Sequence, residues 1–129
     1  MGASLAAPAL IRSASAAGAG ISVVYISAED CAPCRAFEAS DWPQWQSSPL
    51  SHRVRFLRAH APKTTQAYQT KYWPSEARSF AGAVKVPVVP SFILANNGGV
   101  VLVGSGLVGW RNQVLPEIRR ISAAGGAQS

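Results

Sequence analysis

The chain of 129 residues has two cysteines, Cys31 and Cys34, both inside "AEDCAPCRAFE" (28–38). Two thiols at this spacing can supply half of a metal site, close a small structural staple, or form a redox pair that opens and closes as its work. In disulfide exchange the attacking species is a thiolate, and a free cysteine with a pKa of ~8.5 is mostly protonated at neutral pH. Cys31 at the start of a helix would meet free backbone amides and the positive end of the helix dipole, both of which favour the anion. Pro33 suits such a first turn, where a missing N–H costs nothing. Cys34, one turn further in, would be the shielded thiol that releases a mixed disulfide. Arg35 adds positive charge beside the pair, and Glu29 and Asp30 oppose it.

The other two readings ask for more than the chain offers. A zinc site needs further ligands, and the candidates are His52 and His60, with seven residues between them. Zinc sites of this class space their histidines by about three to five residues. No metal is expected, and His60 reads as a surface histidine at a strand end. A staple across Cys-x-x-Cys closes so short a loop that it removes little entropy from the unfolded chain.

Length predicts one domain, large enough to bury a core without staples. At 48% hydrophobic and 14% charged residues the composition is that of a globular protein. No apolar run approaches the ~20 residues that span a bilayer, so no membrane-spanning segment is expected. The net charge is +6, but apart from Arg119-Arg120 the basic residues stand singly. Nucleic-acid binders cluster such charge, so no nucleic-acid partner is expected.

Residues 1–19 read as a separate segment. An apolar, Ala-rich stretch runs to Ile11 and is followed by Ala14-Ser15-Ala16, a small-residue pattern of the kind cleaved in secretory signals. The stretch resembles the end of bacterial twin-arginine export signals, in which an arginine pair precedes the apolar run. It is expected to be the remnant of an export signal, cleaved so that the mature chain starts near Ala17. A flexible N-terminal extension of a cytoplasmic protein is the alternative.

Residues 20–129 are expected to form the domain. "ISVVYIS" (21–27) is β-branched and apolar, a buried strand. The cysteine pair follows directly and opens a helix whose apolar face carries Cys34, Phe37 and Trp45, with Pro43 predicted to kink or end it. "RVRFLRAH" (53–60) alternates like a strand with one solvated face. Residues 62–83 predict a loop and a short helix near Ser75–Ala81, capped by Ser75. "SFILA" and "VVLVG" flank Asn96-Asn97-Gly98-Gly99, residues that tolerate the positive φ of a tight hairpin. Trp110, Val114, Ile118 and Ile121 recur at helical spacing, with Pro116 expected to delay or bend that helix. Of the four tryptophans, Trp73 is a candidate for flanking a substrate cleft.

The order β-α-β-α-β-β-α, with Cys-Ala-Pro-Cys at the first strand-to-helix junction and Val89-Pro90 opening the third strand, resembles the thioredoxin-fold family over roughly residues 20–122. The resemblance implies an α/β fold, a four-stranded mixed sheet flanked by helices. It implies that Cys31 and Cys34 are the catalytic redox disulfide. Pro90 would be a cis-proline facing them, and Val89 would offer its backbone to a substrate chain. Pro87 is a rival, but Pro90 directly precedes "SFIL". The implied function is a thiol–disulfide oxidoreductase that reduces or exchanges protein disulfides in the bacterial periplasm. It would need no cofactor, and would draw on an unidentified electron donor or acceptor. The alternative is a binding or assembly module with little redox turnover. Three departures bear on the chemistry, one being that Glu29 and Asp30 flank the pair. Asp30 stands where the family usually has Trp, and Tyr25 stands where it has a buried acid.

Overall fold

The computed structural model describes residues 20–128; the leader, with its Ala14-Ser15-Ala16 pattern, lies outside the described residues. Four strands, β1 (Ile21–Ala28), β2 (Val54–Ala61), β3 (Ser91–Asn96) and β4 (Gly99–Ser105), form one sheet in the order β2-β1-β3-β4. β1 runs parallel to β2 and antiparallel to β3, and β3 pairs antiparallel with β4. The expected mixed four-stranded sheet is therefore observed. The hairpin between β3 and β4 turns on Asn97 and Gly98, at φ 53° and 85°. Two successive positive φ values match the right-handed twist of the flanking strands, and Asn and Gly adopt them at least cost.

β1 is the centre of the domain because both of its faces are covered. Side chains alternate across a strand, so Ile21, Val23 and Tyr25 join one apolar cluster with Phe37, Trp45, Phe92 and Trp110. Val24 and Ile26 join another with Ala59, Trp73 and Ile93. The first cluster is mainly aromatic, with Tyr25 stacked on Phe92 at 5.2 Å and Phe37 edge-on to Trp110 at 5.4 Å.

Two helices cover that aromatic face, and both hold a proline without breaking. Helix α1 (32–47) starts as α-helix at Ala32–Ala36, widens to one π turn at Phe37–Asp41, and resumes at Trp42–Ser47 with Pro43 in its first turn. Helix α2 (106–128) repeats the device with Gly106–Gly109, a π turn at Trp110–Val114, and Leu115–Gln128 carrying Pro116. Proline lacks an N–H and its ring collides with the carbonyl four residues back. A π turn placed there moves that carbonyl aside, so the predicted break becomes a bulge.

The segment between β2 and β3 departs from expectation. In place of an α-helix it holds three 3₁₀ pieces, Thr64–Gln66, Thr70–Tyr72 and Ser75–Ala83. Ser75 is not the cap; Pro74 holds that position, and its carbonyl accepts from Ala77 N at 2.9 Å. Trp73 is 2% exposed and its Nε1–H donates to the Ala67 carbonyl at 2.8 Å. It is a core residue that gathers this irregular segment, not the wall of a cleft. β4 and the start of α2 touch backbone to backbone. A Cβ on Gly104 would stand 2.8 Å from the Gly109 carbonyl oxygen, so both glycines are needed for the approach.

No helix among the described residues is long and apolar enough to cross a membrane.

Candidate functional site

Cys31 caps the helix that follows β1. Its backbone is extended, at φ −101° and ψ 106°, its carbonyl accepts the first helical bond from Arg35 N at 3.1 Å, and Pro33 occupies the first turn. The Cys34 N–H donates to Cys31 Sγ at 3.1 Å. The two cysteines are joined by a disulfide, with Cα atoms 5.2 Å apart. Cys31 is 4% exposed and Cys34 1%. Both residues are buried, and Cys31 is the more exposed of the two.

The charged residues around the pair are tied down rather than aimed at it. The Asp30 carboxylate accepts from the backbone N–H of Thr64 at 2.7 Å and from its hydroxyl at 2.8 Å. These bonds hold its carboxyl below the ordinary range. Glu29 accepts through its backbone carbonyl from the Arg35 guanidinium, and its carboxylate faces His60 Nε2 at 3.3 Å. The Glu29 N–H donates to the Ala61 carbonyl at 2.8 Å, which fixes the loop to the end of β2.

His60 is no free surface residue. Its Nδ1 lies 2.9 Å from the hydroxyl of buried Ser27 and 3.3 Å from the Arg58 guanidinium. With the Arg58 donor on one nitrogen and a carboxylate on the other, the ring fits best with its proton on Nε2. His52 lies in the turn before β2, at the other end of that strand. Among the described residues no three His, Cys, Asp or Glu side chains converge.

Tyr25 lies beneath the pair. It is 2% exposed, and its hydroxyl lies 2.8 Å from Glu38 Oε2 and 3.3 Å from the Cys34 carbonyl. Glu38 also accepts from Arg58 Nη2 at 2.8 Å, and Arg58, the cross-strand partner of Tyr25, sets its guanidinium 5.9 Å from the Tyr25 ring centre. Burial, and then the bond to Glu38, push the Tyr25 phenol far above its ordinary value. It is a permanent hydroxyl. A cavity of about 270 Å³ opens beside this group, lined by Tyr25, Phe37, Glu38, Trp42, Phe56 and Arg58.

Sequence reasoning passed over Glu38 and Arg58. The signals were present: Glu38 follows Cys34 by four positions, one helical turn, and Arg58 points to the same face as Phe56.

The Val89–Pro90 peptide is cis, and among the described residues it alone is so. Val89 is half-buried and packs against both apolar clusters, including the one that contains Cys31 and Cys34. Its neighbours are engaged: the Val88 carbonyl accepts from Tyr68 Oη at 2.7 Å and Ser91 Oγ at 2.8 Å, and the Pro90 carbonyl from Gly106 N at 2.8 Å. The backbone of Val89 has no hydrogen-bond partner among the described residues. Val86 and Val88 stand exposed beside it, at 62% and 42%.

The chain matches no family model and no curated protein. Solved structures do resemble it. A thioredoxin of Malassezia sympodialis superposes with a TM-score of 0.53 at 16% identity, over 81% of this chain and 80% of that one. The Fasciola hepatica thioredoxin gives 0.52 at 18% identity, over 88% and 92%. A reduced Schistosoma mansoni thioredoxin pre-protein gives 0.50 at 18% identity, over 80% of each. At such identities the likeness carries the architecture: this chain has the thioredoxin fold.

Proposed function

We propose that this thioredoxin-fold chain is a thiol–disulfide oxidoreductase whose working group is the Cys31–Cys34 pair. The observation that carries the proposal is the placement of Cys31 at a helix start, with the Cys34 N–H donating to its sulfur. That donor and the helix dipole favour a thiolate on Cys31 once the pair is reduced, and the thiolate is the attacking species. Cys34, less exposed and one turn further in, is the resolving thiol. Val89 serves as the docking strand. Its unpaired main chain can bond an extended substrate segment as an added strand would, which gives affinity with little side-chain selectivity. The exposed valines 86 and 88 give that segment apolar contact.

The substrates are protein disulfides or dithiols, and a separate electron donor or acceptor resets the pair. We assign the protein to the bacterial periplasm on the pattern of residues 1–16, which read as the end of an export signal. Turnover of insulin disulfides with dithiothreitol as reductant tests the function, with Cys31→Ser as control. Accelerated reduction by the wild type and none by the variant is expected. Equal, background rates for the two would turn the reading to a binding or assembly module. Fractionation and N-terminal sequencing from the native host test export; full-length protein in the cytoplasm would refute it.

A further inference from the structure

The polar pairings of this fold leave two arginines over. All six acidic side chains of the chain are engaged. Glu29 faces His60, Asp30 takes Thr64, Glu38 takes Arg58, Asp41 takes Arg111, Glu76 takes Arg55 and Glu117 takes Arg120. Arg35 and Arg78 donate to the carbonyls of Glu29 and Trp73. Among the described residues, Arg53 and Arg119 alone of the arginines have no hydrogen-bond or ion-pair partner.

Both line one cavity of about 340 Å³, together with Pro49, Leu50, Ser122 and Ala123. Arg53 ends the 3₁₀ turn Pro49–Arg53 that leads into β2. Arg119 and Ser122 lie on α2, three positions apart and therefore on one side of it. Two guanidinium groups around one cavity repel each other, and an anion between them offsets that repulsion. Ser122 is 7% exposed, and its hydroxyl is buried without a hydrogen-bond partner among the described residues. A buried polar group is ordinarily bonded, so one without a protein partner points to a partner from outside the chain. The cavity is remote from the cysteines. Arg53 precedes Val54 at one end of β2, and Ala61 at the other end pairs with Ala28, which leads to Cys31.

We propose that this cavity binds a small phosphate monoester. Arg53, Arg119 and Ser122 present two fixed positive charges and only N–H and O–H donors, apart from the hydroxyl's own lone pairs. Such a set suits a group that accepts at every edge. A phosphate monoester carries a charge of about −1.5 to −2 at neutral pH and three acceptor oxygens. Guanidinium forks bond such oxygens in pairs. A carboxylate brings one charge and two oxygens, which leaves part of the donor set unused. Pro49, Leu50 and Ala123 supply an apolar wall for the organic body of the ester.

Titration of the ¹⁵N-labelled full chain, followed by amide chemical shifts at neutral pH and fixed ionic strength, tests the site. Phenyl phosphate is expected to give saturable shifts in the 49–53 turn and around residues 119–123. Benzoate has the same ring and one charge, and should bind about tenfold less tightly. Inorganic phosphate lacks the ring and should bind about fivefold less tightly. Arg53→Met and Arg119→Met should each weaken phenyl phosphate about tenfold, and Ser122→Ala about threefold. Lys85→Met removes the same charge elsewhere and should leave binding unchanged. Shifts that do not saturate, or that spread over basic residues outside the cavity, would overturn the proposal. Equal weakening by Lys85→Met would overturn it too, since that marks net charge rather than a site. Benzoate binding as tightly as phenyl phosphate would refute the phosphate assignment, and inorganic phosphate doing so would refute the ester.

Discussion

The backbone N–H of Cys34 lies 3.1 Å from the sulfur of Cys31, directed at it from the first turn of the helix that Cys31 caps. A hydrogen bond given to an anion stabilises that anion. The relationship is unsymmetrical: the Cys34 N–H donates to the Cys31 sulfur, and of the two buried residues Cys34 is the less exposed, at 1% against 4%. The proposed roles, attack by Cys31 and resolution by Cys34, rest on this difference in environment.

The roles can be trapped. Cys34→Ser should accumulate mixed disulfides between Cys31 and substrate proteins, visible on non-reducing gels. Cys31→Ser should accumulate none. Faster alkylation of Cys34 than of Cys31 in the reduced wild type would reverse the assignment.

The carboxylates predict how the fold responds to acid. The bidentate bond from Arg111, at 2.8 Å to each oxygen, holds the Asp41 carboxyl below its ordinary value of 3.8. Asp30 is lowered by Thr64 and Glu117 by Arg120. A carboxyl whose folded value is depressed binds its proton more readily in the unfolded chain. Its contribution is therefore complete above the unfolded value and fades as pH falls through the folded one. Asp41→Asn is expected to cost about 1–2 kcal/mol at pH 7, a modest figure because Arg111 is half exposed. Melting curves from pH 7 down to pH 2 should show the gap between variant and wild type closing below pH 3.8. A gap that stays constant across that range would contradict the pairing.

Trp73 separates core from cleft. Trp73→Phe removes the donor to the buried Ala67 carbonyl and leaves a void, so stability should fall by roughly 1–3 kcal/mol. Disulfide exchange rates of the folded variant should match wild type. A selective loss of exchange rate at unchanged stability would restore Trp73 to the substrate surface.

The legible parts of this chain were those that local physics decides. "ISVVYIS" is apolar on both faces because β1 is covered on both, and Asn97-Gly98 meets a backbone need that few other residues can. The cysteine pair and Val89-Pro90 were visible as motifs. What escaped depends on tertiary packing. A proline in an apolar helical pattern reads as a break, and a π turn is invisible in the pattern because it changes which carbonyl is free, not which residues are apolar. The 3₁₀ pieces of 64–83 are gathered around buried Trp73, whose anchor, the Ala67 carbonyl, is a backbone atom that no motif names. Glu38, Arg58 and His60 looked like dispersed surface charge, and only the pairing of β1 with β2 and the packing of α1 on the sheet bring them to Tyr25 and Ser27.

The central claim, that Cys31 and Cys34 are a working redox pair, is tested most directly by a redox titration. The protein is equilibrated with reduced and oxidised glutathione over a series of ratios, quenched in acid, alkylated and weighed by mass spectrometry. The account predicts one reversible two-electron transition between disulfide and dithiol, reached equally from either side. A pair that stays oxidised across the series, or that fails to re-form once reduced, would contradict it.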